Sequence, residues 1–180
     1  KLLRSTIPAG VELAITAAAD LPLVEIDSTE LHQMLLNLGT NAWQAIESRQ
    51  GRITFALDVR TIASGRSDVP SELKPGRYVR LAVSDTGKGI PAAVMPRIFD
   101  PFFTTKPPGE GTGLGLSVVH GILRANGGAI KVTSTVGTGS LFELYFPAST
   151  ATAPSVPVPV RPPVALAPAG TGVVAHSARG

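Results

Sequence analysis

Apolar and polar residues change period several times along this chain, and each change marks an element. Val11-Glu-Leu-Ala-Ile-Thr-Ala17 alternates with period two, the spacing that lays one face of a strand on a core. Leu23-Val-Glu-Ile26 predicts a second, short strand. From Ser28 the apolar positions Leu31, Leu35, Leu38, Ala42 and Ala45 recur at helical spacing, with Asp27 or Ser28 as cap and Glu30 in the first turn. That helix is predicted to run to about Ser48, before Gly51. Arg52 to Ile62 and Arg77 to Ser84 predict strands around a polar loop rich in Gly, Ser and Pro. Leu114 to Ala125 predicts a helix stopped by Asn126-Gly-Gly128. Ala129 to Thr135 and Leu141 to Phe146 predict a hairpin across Val136-Gly-Thr-Gly139. The expected class is α+β, a two-layer sandwich with helices on one face of a mixed, mostly antiparallel sheet.

The pattern breaks after Pro147. From Ala148 to Gly180 there is no acidic residue, and Pro, Ala and Val dominate. Pro154-Ser-Val-Pro-Val-Pro-Val-Arg-Pro-Pro163 cannot donate a regular ladder and is expected to be extended and semi-rigid, as a linker or tail. With 180 residues, 43% of them hydrophobic, the rest suits one globular domain that needs no disulfide or structural metal. The lack of Cys fits a reducing compartment. Net charge is +3, but no Lys/Arg run occurs and aromatics are 5%, so no nucleic-acid partner is expected. No apolar run reaches the roughly 18 residues of a membrane-spanning helix. No signal peptide is read at the start, which enters in mid-pattern as an excised fragment would.

Three segments carry candidate chemistry. Gln33, Asn37, Asn41 and Gln44 form a second stripe on the first helix, beside its apolar face. Asn is a mediocre helix former, so two of them one turn apart suggest amide oxygens offered to a hydrated Mg²⁺ or a phosphate. On the helix alone, a solvated polar stripe is the plainer reading. Asp85 ends the apolar run Val79-Arg-Leu-Ala-Val83 and opens Asp85-Thr-Gly-Lys-Gly-Ile90. A carboxylate there accepts and does not donate, which suits an exocyclic amine such as adenine N6. Gly87 and Gly89 would let a flat ring lie against the backbone. Asp-Thr-Gly is also the aspartic protease triplet, but it occurs here once, in a chain with long amphipathic helices.

Phe99-Asp-Pro-Phe-Phe-Thr-Thr-Lys106 follows, with three Phe that suit a core anchor and then hydroxyls and one cation, Thr104, Thr105 and Lys106. Pro107-Pro-Gly-Glu-Gly111 has the composition of a mobile lid. Gly111, Gly113 and Gly115 lead into a helix, where free amides and the positive helix end meet. A dinucleotide fold would need a buried strand just before these glycines, and Phe-Thr-Thr-Lys-Pro-Pro stands there instead.

Asn37-Leu-Gly-Thr-Asn-Ala42, Asp85-Thr-Gly-Lys-Gly89, Phe99-Asp-Pro-Phe-Phe103 and Gly111-Thr-Gly-Leu-Gly115 resemble, in order, the N, G1, F and G2 boxes of bacterial sensor histidine kinases. These boxes mark the ATP-binding catalytic domain, within the superfamily of DNA gyrase B, the heat-shock chaperone ATPase and MutL. The resemblance spans about Val11 to Phe146 and implies the Bergerat fold, with ATP between helices and lid. It makes Asn41 the principal Mg²⁺ ligand and Asn37 a second polar contact near metal and phosphates. It gives Asp85 adenine N6, with Gly87, Gly89 and Ile90 lining the base pocket. Ser140 stands where the family usually has Thr near the base. Lys106 and the amides around Gly113 and Gly115 would meet the phosphates, with Thr105, Gly111, Thr112 and Leu114 alongside.

Two departures follow from the same comparison. Such kinases often have a basic residue three positions after the metal Asn, and Gln44 stands here. Gyrase-like hydrolases have a general-base Glu four residues before that Asn; here it is Asn37, which cannot take a proton at neutral pH. Poor ATP hydrolysis and phosphoryl transfer to a His are therefore implied. His32, His120 and His176 lack the acidic residue and Pro that follow a phosphoacceptor His, so the acceptor is expected upstream of Lys1. The implied organisation is the end of a connection from a dimerisation and phosphoacceptor domain (1–10), the catalytic domain (11–147) and a linker or tail (148–180). The tail resembles the connector to a response-regulator receiver domain in hybrid kinases. The implied location is cytoplasmic, in a parent that can be membrane-attached. A nucleotide-binding scaffold without transfer and an anti-sigma-type serine kinase share the boxes.

Overall fold

A computed structural model describes residues 7, 8, 10–46, 50–65, 68–107 and 111–149. The elements are β1 (Val11–Ala17), α1 (Ser28–Ala45), β2 (Gly51–Ile62), β3 (Gly76–Asp85), a 3₁₀ turn (Met95–Arg97), α2 (Gly115–Ala125), β4 (Ala129–Thr135) and β5 (Gly139–Pro147). The five strands lie in the order β1-β2-β3-β5-β4. β1 pairs parallel to β2, and every other neighbouring pair is antiparallel. A parallel pair needs a crossover, which α1 supplies.

Period two sorts the strands into two faces. Ile53, Phe55, Leu81, Val83, Phe142 and Leu144 pack with Met34, Leu38, Val119 and Leu123 of the helices in one core. Asp85 and Ser140 continue the phase of Val83 and Phe142, pair with each other in register, and so close the helix side of the sheet with polar groups. The opposite face carries a cross-strand charge ladder. Arg80 Nε donates to Asp58 Oδ1 at 3.0 Å, and Arg80 also pairs with Glu143. A loop folds over this face, burying Ile62, Tyr78 and Tyr145 against Val69 and Leu73. The cavity of about 190 Å³ beneath it is lined by Arg60, Arg80, Lys131 and Glu143 among others. Those charges already have partners, Lys131 Nζ donating to the Asp68 carbonyl at 2.6 Å and Arg60 pairing with Asp58.

Asp27 caps α1 in extended conformation, accepting from Thr29 and Glu30 N–H at 2.7 and 3.3 Å, which holds its carboxyl below the usual range. The expected strand at Leu23-Val-Glu-Ile26 is absent. Val24 and Ile26 pack on the core, but the segment is irregular and has no strand partner, its Leu23 carbonyl accepting from Ser149 N–H at 2.8 Å. Helix α1 ends at Ala45 rather than near Ser48, because Ile46 turns extended (φ −85°, ψ 90°) and buries itself. Residues 47–49 lie outside the described set. Its apolar face is centred on Met34, fully buried at 0% exposure, with Leu38 and Ala42; Leu31, Leu35 and Ala45 are only half-buried flanks. Of the three Phe expected as core, Phe99 packs there, whereas Phe102 is 73% exposed. Its backbone is in the left-handed region (φ 65°) and donates to the Gly113 carbonyl at 3.0 Å, which turns the ring outward.

Candidate nucleotide site

The amide stripe of α1 does not face open solvent along its length. Gln33 is exposed, but Asn37, Asn41 and Gln44 are each half-buried. The start of α2 lies over them. A Cβ built on Gly115 would stand 3.5 Å from Asn41 Nδ2 and 3.7 Å from Asn37 Oδ1, in ordinary contact with both amides. Helix α2 begins there, one residue later than the expected Leu114, and has no side-chain cap. Thr112 Oγ1 accepts from Leu114 N–H at 3.4 Å in the turn before it. The Asn37 and Asn41 amides therefore lie beside the start of α2, whose positive dipole end attracts anions.

Lys106 closes this cluster from the lid side. Its Nζ donates to Oε1 of Gln44, one turn along α1 from Asn41. Thr104 Oγ1 accepts from the Lys106 backbone N–H at 3.1 Å and turns the chain there. Thr105 and Thr112 are exposed, Gly111 is half-buried, and Leu114 sits at the surface. Pro108, Gly109 and Glu110 of the expected lid lie outside the described residues.

The second cluster is built on the glycine loop after β3. Asp85 is 7% exposed and accepts from Gly87 N–H at 2.8 Å. Burial pushes its carboxyl above the ordinary carboxylate range, against the pull of the Gly87 and Ser140 backbone N–H groups. The loop is wedged between α1 and the β4–β5 hairpin. Lys88 N–H donates to the Ala45 carbonyl at 2.9 Å, satisfying a free carbonyl at the end of α1, and Gly137 N–H donates to Lys88 O at 2.8 Å. Close packing is what demands the glycines. A Cβ on Gly87 would fall 2.5 Å from the Ala45 carbonyl oxygen, and one on Gly89 (φ 73°) 2.2 Å from that of Thr135. On the side where their Cβ atoms would stand, the space is taken by protein backbone.

Ser134 ties this cluster together and escaped the sequence reading. It accepts from Ile90 N–H at 2.8 Å, donates to the Gly139 carbonyl at 2.9 Å and stands 3.0 Å from Ser140 Oγ. With its one proton on Gly139, Ser134 receives the Ser140 proton, so Ser140 turns lone pairs toward the loop. The signal lay in the hairpin: a turn at 136–138 sets Ser134 opposite Ser140. The two clusters join through the end of α1, where Gln44 holds Lys106 and Ala45 holds the loop.

The donor chemistry suits Mg²⁺ only in part from protein. Among the described residues no group of three or more His, Cys, Asp or Glu is placed to hold a metal. Amide oxygens of Asn41 and Asn37 fit a hard cation that draws its remaining ligands from phosphates and water. Of the other candidates, His120 stacks on Phe99 (centroids 4.9 Å apart) and His32 is exposed; His176 lies outside the described residues.

The profile of the histidine kinase-, DNA gyrase B- and HSP90-like ATPases matches residues 26–150. The sensor kinase CckA of Brucella abortus is 40% identical over 146 residues, 81% of this chain and 15% of that protein. The sensor histidine kinase ZraS of Escherichia coli K12 is 42% identical over 137 residues, 76% of this chain and 26% of that protein. The chain thus spans between about a seventh and a quarter of these relatives. Full-length ShkA in complex with AMPPNP superposes with a TM-score of 0.62 at 28% identity, covering 83% of this chain and 29% of that one.

Proposed function

The chain belongs to the family of histidine kinase-, DNA gyrase B- and HSP90-like ATPases, and from that membership we propose that it is the ATP-binding catalytic domain of a two-component sensor histidine kinase. In this reading residues 11–147 hold Mg-ATP and present its γ-phosphate to a His on a separate dimerisation domain. Residues 1–10 lead in from that domain, and 148–180 lead away, with a response-regulator receiver as downstream partner. No helix among the described residues is long and apolar enough to cross a membrane. A cytoplasmic place in a parent kinase follows from the proposed role.

The observation that carries the proposal is the joining of the two clusters through α1. Asp85 accepts from the adenine amine, with Ile90, Gly87, Gly89 and Ser140 around the base. The phosphates then run toward the start of α2, where Gly113, Leu114 and Gly115 offer amides, with Gly111, Thr112 and Thr105 on the lid side. Asn41, seconded by Asn37, would hold Mg²⁺, which would supply neutralisation of phosphate charge. Lys106 adds a cation at the transferring end. As the γ-phosphorus bond to the ADP oxygen breaks, a bond to an imidazole nitrogen forms, and positioning plus charge neutralisation supply the rate. The α1 face offers amides and no carboxylate beside Asn41, since Glu30 is engaged with Asn126 at 3.1 Å, so activation of water is disfavoured.

The test is phosphoryl transfer from γ-labelled ATP to a phosphoacceptor helix domain fused upstream. Transfer that is Mg²⁺-dependent and lost in Asn41→Ala supports the reading. A fusion that binds ATP yet never labels its His refutes it.

A further inference from the structure

We infer that Gln44 is a positioning residue for Lys106: a neutral dock on α1 that aims the lid cation at the phosphate end of the amide stripe. The inference rests on the proposed ATP site and deepens it. Gln44 Oε1 accepts from Lys106 Nζ across a sequence separation of 62 residues, and it lies on the same helix face as Asn37 and Asn41. The rest of the lysine is guided too. Its backbone N–H is held by Thr104 Oγ1 at 3.1 Å, and a Cβ on Gly111 would stand 3.0 Å from its Cδ. Both margins of the lid thus flank the Lys106 stem while α1 receives its tip.

The choice of an amide is what the chemistry requires. A carboxylate at position 44 would hold the ammonium but cancel its charge, and a cation there would repel it. Gln supplies an acceptor and adds no charge of its own beside the ammonium. A lysine free in solution samples many rotamers, and ordering one on binding costs affinity. With the tip already docked, that cost is met before the ligand arrives.

The experiment is a double-mutant cycle on the full chain, reading ATP and tripolyphosphate affinity by titration in Mg²⁺. Gln44→Leu removes the acceptor and is expected to weaken ATP about 2- to 10-fold. Lys106→Met should weaken it further, and the double variant should match Lys106→Met alone. Gln44→Glu, which keeps the acceptor and neutralises the lysine, should be worse than Gln44→Leu for both ligands. Thermal midpoints should stay together across the set, since Gln44 is half-buried at the surface. If Gln44→Leu and Lys106→Met add independently, or Gln44→Glu binds as the unsubstituted chain does, the positioning role is overturned. If the unsubstituted chain takes up no ATP, the proposed function itself falls; those two failures are distinct.

Discussion

Asp85→Asn separates recognition of the base from recognition of the phosphates. Asp85 is 7% exposed, and its carboxylate already accepts from Gly87 N–H at 2.8 Å, so the side chain is aimed and does not reorder on binding. A hydrogen bond to a charged group is worth about 1.5–3 kcal/mol, or about 10- to 150-fold in affinity. Asn would put an amide donor where the adenine amine also donates, so ATP should weaken by at least that range. Tripolyphosphate, which has no base, should bind both proteins equally. Purine riboside triphosphate, which lacks the 6-amino group, should bind both proteins about as weakly as Asp85→Asn binds ATP. Competition against a fluorescent nucleotide measures all of these. Equal loss of ATP and tripolyphosphate would show that Asp85 merely supports the loop, and the base assignment would be wrong.

The same carboxylate sets a pH signature. Burial raises its pKa above the ordinary 3.8. The advantage of the unsubstituted chain over Asp85→Asn should be full above the raised value and shrink as pH falls through it, beginning at higher pH than for an exposed Asp. Linkage gives the converse for the empty fold, in which the folded state binds more protons than the unfolded one between 3.8 and the raised pKa. Stability contributed by this group is therefore lost as pH rises through that window. Asn41→Ala should lower phosphoryl transfer about 100-fold or more while costing about 1 kcal/mol or less in urea unfolding. Ser134→Ala leaves Ile90 N–H without its acceptor and frees the Ser140 hydroxyl to rotate; about 1–3 kcal/mol of stability and a selective loss of ATP over tripolyphosphate are expected. Gly87→Ala forces a methyl to 2.5 Å from the Ala45 carbonyl, so about 1–3 kcal/mol of stability should go, with base binding reduced alongside it.

Much of this architecture was legible because its causes are local. Alternation placed β1 and the hairpin, Asp27 marked the start of α1, and Asn126-Gly-Gly128 marked the end of α2. The four boxes were readable as motifs, and the family match confirms the membership they implied. What stayed hidden depends on contacts between distant segments. Leu23 to Ile26 has a strand's composition but no neighbour to pair with. Met34 occupies the centre of the apolar face because of how α1 rolls onto the sheet, which the wheel of Leu31, Leu35, Leu38, Ala42 and Ala45 does not fix. The close approach of Gly87 and Gly89 to the backbone of Ala45 and Thr135 joins segments far apart in sequence, so the motif alone did not reveal it. Gln44 read as a lost phosphate contact until the lid brought Lys106 onto it.

Calorimetric titration of ATP into the full chain, with and without Mg²⁺, tests the central claim most directly. Saturable binding that Mg²⁺ strengthens, and that Asn41→Ala makes indifferent to Mg²⁺, is the predicted result. No heat up to millimolar ATP, or binding that ignores Mg²⁺ in the unsubstituted chain, would contradict the assignment of a catalytic nucleotide site.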